Sequence, residues 1–381
     1  MRVTLINHSM ALGGAERVMS ILANTWAQKG WEITLLTFSN DQDICCYPLD
    51  SQVFYHRLNL CQDSSSLLES IKNTKNRIFK LRREIVRSQP DVVISFMTSI
   101  NILVLLATRG LKFPVIVSER NFAGASGLDH PLWRLIKSFA YRLADRIVVQ
   151  TQRAASHLPF FLQSRIDQIP NPVVLPPQKA LQKIPSLGRS ILAVGRLEHQ
   201  KGFDLLLRAF ANLPDYAEPW TLTILGEGAD RKKLEKLASE LNLGDRLYLP
   251  GRMVNIYDWL QSADLFVMSS RFEGFPNALC EAMACGLPVI STDCPEGPRE
   301  IIQNGIDGLL VESENVVALT AALQTLIENP ELRYRLEKEA PAIVSRLGIE
   351  KVTRLWEDVI TLALTKRSKI KESKKSQRSL I

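Results

Sequence analysis

Several features are missing from this chain, and each absence removes a class of function. No apolar run reaches the ~18 residues of a membrane-spanning helix. The chain opens directly on Arg2-Val3-Thr4-Leu5-Ile6, with no charged region ahead of it. That start reads as a first strand rather than a signal peptide. The cysteines, Cys45, Cys46, Cys61, Cys280, Cys285 and Cys294, form no C-x-x-C pair and no zinc-spaced cluster with histidine. They read as free thiols in a reducing cytosol, with no disulfide framework and no metal. The G-x-G-x-x-G fingerprint is absent, which argues against a dinucleotide site. No RRM, KH, zinc-finger or helix-turn-helix pattern occurs, so nucleic acid is not an expected partner.

The chain has 381 residues, of which 46% are hydrophobic. That is enough for two domains, each with its own core. Charge is unevenly spread. Residues 1–180 carry 21 Lys and Arg against 13 Asp and Glu, residues 181–365 carry 19 against 26, and residues 366–381 carry 7 against 1. A basic first half and a basic end point to an anionic partner, such as an anionic membrane face.

The stretch from Ser269 to Ile302 organises the rest. An apolar strand, Asp264 to Met268, leads into the turn Glu273-Gly274-Phe275-Pro276. A helix follows from Asn277 to Ala284, which Gly286 should stop, and Leu287 to Ser291 reads as a further buried strand. Pro276 suits a helix start, where its missing N–H is not needed. The first N–H groups of the helix then face any anion held there. Glu273 stands on the turn and Glu281 two turns along. Two carboxylates flanking an anion site suit a ligand with hydroxyls at both ends and phosphates in its middle.

A second cluster lies in Gly195-Arg196-Leu197 to Lys201-Gly202, after the strand Ile191 to Val194. Two cations, Arg196 and Lys201, at the C-terminal end of a strand suit a diphosphate. The opening of the chain is a β–loop–α–β unit: Arg2 to Asn7, an amphipathic helix Ala15 to Lys29, and Glu32 to Thr37. Gly13-Gly14 lie where the backbone must approach a phosphate or a facing domain. Asp91 to Phe96, Pro114 to Ser118 and Arg146 to Gln150 read as buried strands, and Met97 to Arg109 as an apolar helix with Asn101 one turn inside. Polar residues just past strand ends line the ligand crevice of an open α/β sheet, which singles out Glu119 and Arg120. Phe122 to Pro131 reads as a loop for a lid or acceptor. Asp41-Gln42-Asp43 has the form of a metal-binding triplet but sits in a polar loop, and no metal is assigned to it.

Residues 67–87 read as a charged helix. On a wheel of ~100° per residue, Lys72, Lys80, Arg83 and Arg87 share one arc opposite Ile71, Thr74, Ile78, Leu81 and Ile85. That places an outward row of cations on an apolar-backed helix, and these four cations with Asn101 are the candidates for acceptor or membrane contact. Pro170-Asn171-Pro172 to Pro176-Pro177 reads as a linker. The expected layout is a first domain over 1–170, a linker over 171–189 and a second domain over 190–349. A helix over about 350–365 follows, then a mobile basic tail over 366–381.

Glu273 to Glu281, a glutamate pair separated by seven residues and opening E-G-F-P, resembles the signature of glycosyltransferase family 4, and so does G-R-L followed by K-G at Arg196 and Lys201. The resemblance covers nearly the whole chain. It implies the α/β fold called GT-B, two Rossmann-like domains with parallel sheets facing a deep cleft, and a last helix crossing back to the first domain with Trp356 as its anchor. It also implies a retaining, metal-independent transferase that needs no cofactor. The nucleotide-sugar donor would lie on the second domain and the acceptor on the first. Arg196 and Lys201 would meet the donor diphosphate, Gly13 and Gly14 would face it, and Arg252 would meet the base. Glu281 would hold the ribose, and Glu273 with Gly274, Phe275, Pro276 and Asn277 the transferred sugar and phosphates. Many relatives have a histidine where this chain has Glu119 and Arg120. The strings S-T-D-C-P-E-G-P-R-E-I, G-G-A-E-R and S-E-R-N look most like bacterial transferases, N-acetylgalactosaminyltransferases among them, that extend polyprenyl-diphosphate-linked oligosaccharides. That implies a UDP-sugar donor, a glycan or lipid-linked acceptor and a cytoplasmic protein resting on the inner face of the cell membrane. Two other readings stay open: a nucleotide-sugar-binding protein without activity, and a sugar epimerase of the same fold.

Overall fold

The computed structural model describes residues 1–61, 67–120, 131–176, 189–214, 219–253 and 255–378. They divide into two compact units, Met1–Pro172 with Ile349–Ile381, and Val173–Gly348.

The first unit is built on seven parallel strands: β1 (Arg2–Asn7), β2 (Glu32–Thr37), β3 (Val53–Arg57), β4 (Val92–Phe96), β5 (Val115–Ser118), β6 (Arg146–Val149) and β7 (Ile166–Gln168). Their order is β3-β2-β1-β4-β5-β6-β7, and every pairing is parallel. A parallel sheet is covered on both faces, so its central strands are apolar throughout. β4 shows this with all its residues buried. The helices are α1 (Gly14–Gln28), α2 (Leu67–Arg87), α3 (Thr98–Ala107) and α4 (Pro131–Tyr141), with the terminal helix Ile349–Arg378. Leu5, Trp26, Ile94 and Trp356 pack in the core on one side of the sheet, and Ile6, Leu81, Val93 and Leu105 in the core on the other. The sequence reading misses β3, β7 and α4. The two strands are short and sit at the sheet's edges, where the apolar signal is weakest.

The terminal helix belongs to this first unit. Its Trp356 is fully buried and stacks on Phe96 with ring centroids 5.8 Å apart. Glu357 accepts from Lys29 Nζ at 2.6 Å and from Trp26 Nε1 at 3.2 Å. The residues expected as a separate basic tail from 366 continue the terminal helix, which runs unbroken to Arg378. Residues 366–378 contain neither glycine nor proline and are rich in Lys and Arg, which favour helix. Arg367 is a fixed part of the fold, donating to both oxygens of Asp145 at 2.7 and 2.9 Å.

The second unit is a six-stranded parallel sheet. Its strands are β8 (Arg189–Val194), β9 (Trp220–Leu225), β10 (Leu247–Gly251), β11 (Leu265–Met268), β12 (Val289–Thr292) and β13 (Leu309–Val311). Their order is β10-β9-β8-β11-β12-β13. Strand order reverses between β1 and β4 in the first sheet and between β8 and β11 in the second. Such reversals open a crevice at the C-terminal strand ends, where open α/β sheets bind ligands. Both units are therefore Rossmann-like.

Candidate functional site

The loops after β8 and β11 flank the reversal in the second sheet, and they are bound to each other. Lys201 Nζ lies 2.5 Å from Glu273 Oε1. The same oxygen accepts from Ser270 Oγ at 2.6 Å. Glu273 Oε2 has no hydrogen-bond partner among the described residues, so that half of the carboxylate is left for a ligand. Only 5% of Glu273 is exposed. The backbone explains how the loops come so close. Gly202 adopts φ +61°, and a Cβ there would stand 2.1 Å from the Ser269 carbonyl oxygen, so only glycine fits. Ser269 Oγ donates to the Lys201 carbonyl at 2.9 Å, and Gln200 Nε2 to that of Phe272 at 3.0 Å. Arg271 locks the outer side, donating to both oxygens of Asp204 at 2.8 and 2.7 Å and to Glu314 at 2.9 Å. Burial alone would raise the Asp204 carboxyl, but the hydrogen bonds and charge of Arg271 hold it below its ordinary value.

Arg196 is more exposed than Lys201 and is held by Glu198 at 3.0 Å and Gln200 at 3.3 Å. Glu281 is buried inside the helix Asn277–Ala284. That helix ends as its glycine predicts: Gly286 N donates to Met283 O at 2.9 Å and Leu287 N to Ala282 O at 3.1 Å, the paired bonds of a Schellman cap. Arg252 is exposed just past β10. A third loop, after β12, supports the site and carries residues the sequence reading leaves without a role. Glu273 N donates to Pro295 O at 3.2 Å, and Gly297 lies against the ring of Pro276. Burial pushes the Cys294 thiol up to about 12, with the charge of Glu273 adding to the effect. Burial also takes Cys280 and Cys285 to about 12, which disfavours the thiolate form of all three at neutral pH.

The first sheet has its own polar cluster at its reversal. Arg120 follows β5 and is 8% exposed. Its guanidinium lies 3.8 Å from the Phe96 ring centroid. Nε donates to Ser118 Oγ at 3.1 Å and Nη1 to Asn171 Oδ1 at 2.5 Å, while Nη2 has no partner among the described residues. Burial pushes Arg120 down to about 9, against the charge of Glu16. Glu16, in the first turn of α1, is the residue sequence reasoning missed. Its carboxylate folds back over Gly13, where a Cβ would stand 2.1 Å from Oε2. Burial holds it above the ordinary carboxyl value, against its own backbone N–H, Asn7 and Arg120. Its place three residues past an N-cap glycine was the available signal. The Tyr47 hydroxyl donates to the Gly13 carbonyl at 2.9 Å, and Gly14 begins α1. Met97, at the end of β4, has φ +76° and ψ +135°, a conformation that stores strain and concentrates at functional sites.

Other expected residues take structural parts. Glu119 accepts from Thr98 Oγ1 at 2.5 Å and Tyr141 OH at 2.9 Å, and pairs with Lys137 Nζ at 2.6 Å. Asn101 is wholly buried. It donates to Ser118 O at 2.9 Å and Tyr141 OH at 3.0 Å and accepts from Ser95 Oγ at 2.7 Å. That makes it part of the domain core rather than an acceptor-contacting surface. The row on α2 is corrected at one member. Lys80 Nζ turns onto the Leu58 carbonyl at 2.5 Å, which leaves Lys72, Arg83 and Arg87 outward. Lys80 stands at the edge of the basic arc, within reach of the chain that follows β3. Arg83 also pairs with Glu84 at 3.0 Å. Asp41 and Asp43 close their own loop: Asn59 Nδ2 donates to Asp41 at 2.9 Å and Asn40 N to Asp43 at 2.7 Å. The loop from Phe122 lies outside the described residues.

Comparisons with known proteins bear on the family and the fold. Residues 13–172 match the family model described as a glycosyl transferase 4-like domain, and residues 178–342 match that of glycosyl transferases group 1. A Campylobacter jejuni protein named as an alpha-1,4-N-acetyl-D-galactosaminyltransferase acting on a PP-undecaprenol-linked acceptor is 26% identical, over 93% of this chain and 97% of its own. Among solved structures, sucrose-phosphate synthase from Thermosynechococcus elongatus superposes with TM-score 0.81 at 19% identity, covering 94% of this chain and 98% of that one. HepE from Anabaena, solved with UDP and glucose, gives 0.76 at 16% identity, covering 95% and 99%. Among the described residues, no helix is long and apolar enough to cross a membrane.

Proposed function

The chain belongs to the glycosyltransferases of the group 1 and 4-like families, with the GT-B fold, and we propose that it moves N-acetylgalactosamine or another hexose from a UDP-sugar to a polyprenyl-diphosphate-linked glycan. Transfer proceeds with retention and without a metal ion or other cofactor. The Lys201–Glu273 pair across the β8/β11 reversal carries this reading. The named acceptor of the Campylobacter relative and the UDP of the Anabaena neighbour support the choice of substrates.

In this mechanism the anomeric C–O bond to the diphosphate breaks, and its electron pair leaves with the phosphate oxygen. Lys201 and Arg196 neutralise that growing charge, with the first N–H groups of the helix at Asn277. The acceptor hydroxyl attacks the same face and gives its proton to the departing phosphate. Glu273 uses Oε1 to orient Lys201 and Oε2 to hold a hydroxyl of the transferred sugar. Glu281 accepts from the ribose hydroxyls, and Arg252 borders the base. Arg120, with one amino group unpaired in a buried setting, serves the acceptor side. The protein works on the inner membrane face, with the α2 cations against the lipid-linked acceptor.

The test is UDP release from UDP-sugars in EDTA, with and without a polyprenyl-diphosphate glycan. The anomeric configuration of the product is then read by NMR. Release that needs the acceptor, with retained configuration, supports the reading. A product of inverted configuration overturns the retaining step.

A further inference from the structure

The outer face of α4 and the turn after α5, a short helix over Gln152–Ser156, carries large apolar side chains that stand exposed among the described residues. Trp133, Leu135, Ile136, Phe139 and Leu143 are exposed, as are Phe160, at 92%, and Phe161. Leu135 and Phe139 are four residues apart on the helix, which puts them in one stripe with Ile136 beside it, and Leu143 follows in the turn after the helix. The opposite side of α4 is the buried one, at Ala140 and Tyr141. The helix is thus apolar on two sides, and only one is used by the fold. The 3-10 turn Phe160–Arg165 is anchored in the same way, with Leu158 and Leu162 inward and the two phenylalanines outward.

These two elements form one prearranged surface. The Arg142 guanidinium lies 5.1 Å from the Phe139 ring centroid and 4.3 Å from that of Phe161. Arg165 Nη1 donates to the carbonyls of Arg142 at 2.6 Å and Ala144 at 2.8 Å, tying the turn to the end of α4. The chain segment that forms the patch is basic. Residues 131–166 contain six Lys and Arg and one acid, Asp145. Asp145 is buried and already taken by Val115 N and Arg367. Arg134, Arg142 and Arg153 have no carboxylate partner among the described residues.

We propose that this face seats the protein on an anionic lipid bilayer, with Leu135, Phe139, Leu143, Phe160 and Phe161 entering the headgroup boundary and Arg134, Arg142 and Arg153 meeting lipid phosphates. Aromatic rings interleaved with arginines, on a helix lying in the interface plane, are the layout of a reversible membrane anchor. A protein partner would need a complementary acidic rim, and a second copy of this basic face would repel itself. The proposal rests on the reading that the acceptor is lipid-linked, and it names the surface that delivers the enzyme to it.

The experiment compares wild type with Phe139→Ser/Phe160→Ser in sedimentation with phosphatidylcholine vesicles, with and without phosphatidylglycerol. Each is run at physiological salt and at about 0.5 M, where screening reaches within ~4 Å. The expected result is wild-type binding to phosphatidylglycerol vesicles that persists in part at high salt. The double variant should bind at least tenfold more weakly at both salts, while turnover on a detergent-dispersed acceptor stays within twofold. Equal binding by variant and wild type overturns the proposal, as does wild-type binding abolished at high salt. So does a wild-type dimer that the variant dissolves, because the face would then be a contact between copies. Absence of turnover with normal vesicle binding would count against the transferase reading alone.

Discussion

Lys201 and Glu273, 72 residues apart in the chain, meet at 2.5 Å across the strand-order reversal of the second sheet. Neither is a surface charge: 18% of the lysine side chain and 6% of the glutamate side chain are exposed. The first prediction follows from that burial. Lys201→Ala should lower turnover by ~10²-fold, the loss expected for one charge stabiliser in a closed site. It should also destabilise the unit by ~3 kcal/mol, because it strands a buried carboxylate. Adding Glu273→Gln should restore stability but not turnover. Thermal melting beside steady-state kinetics checks this, and activity recovered together with stability would reduce the pair to a structural bond.

The two glutamates should separate by phenotype. Glu281→Ala should weaken binding of free UDP, since ribose contacts are present with or without the sugar. Glu273→Ala should mainly lower kcat, since the proposed mechanism gives its second oxygen to the sugar held for reaction. Calorimetry with UDP decides between them, and the reverse pattern would exchange the two roles.

Glu16 gives a pH signature. Burial raises its carboxyl, so the folded state binds this proton more readily than the unfolded state. Stability is therefore lost as pH rises through the carboxyl range, and the penalty is complete above the folded value. Glu16→Gln should raise the thermal midpoint at neutral pH, with the gain vanishing below about pH 4, where an ordinary glutamate is protonated. A gain that persists in acid would assign the effect to packing instead.

Arg367 divides two truncations that look alike in sequence. Ending the chain after Ser368 keeps the Arg367–Asp145 pair, while ending it after Thr365 removes it. The longer truncation should cost about 2 kcal/mol more, as expected when a largely buried carboxylate loses its charged partner. Denaturant titration measures the difference, and equal stabilities would make the pair dispensable.

What the sequence reveals here depends on how local the signal is. The strands β1, β2, β4, β8 and β11 are apolar runs closed by polar turns, and Gly286 marks a helix end by itself. The turn at Glu273, the helix of Glu281 and the loop from Arg196 to Lys201 are legible as local structure because short-range spacing carries them. The joining of Lys201 to Glu273 is not legible, since it depends on two loops brought together by strand order and by Gly202. Asn101 and Glu119 look like site residues for the same reason in reverse. Polar groups near strand ends are as easily claimed by Ser118, Tyr141 and Thr98 as by a ligand. Lys80 and Arg367 are drawn from expected rows of free cations by single partners, Leu58 and Asp145, that no wheel or charge count can foresee.

The measurement that tests the central claim most directly is UDP release from a UDP-sugar by wild type and by Lys201→Ala, in EDTA, with and without a polyprenyl-diphosphate-linked glycan. The account predicts release that depends on the acceptor, survives chelation and falls ~10²-fold in the variant. Release that needs added Mn²⁺ or Mg²⁺, or that proceeds equally well in the variant, would contradict it.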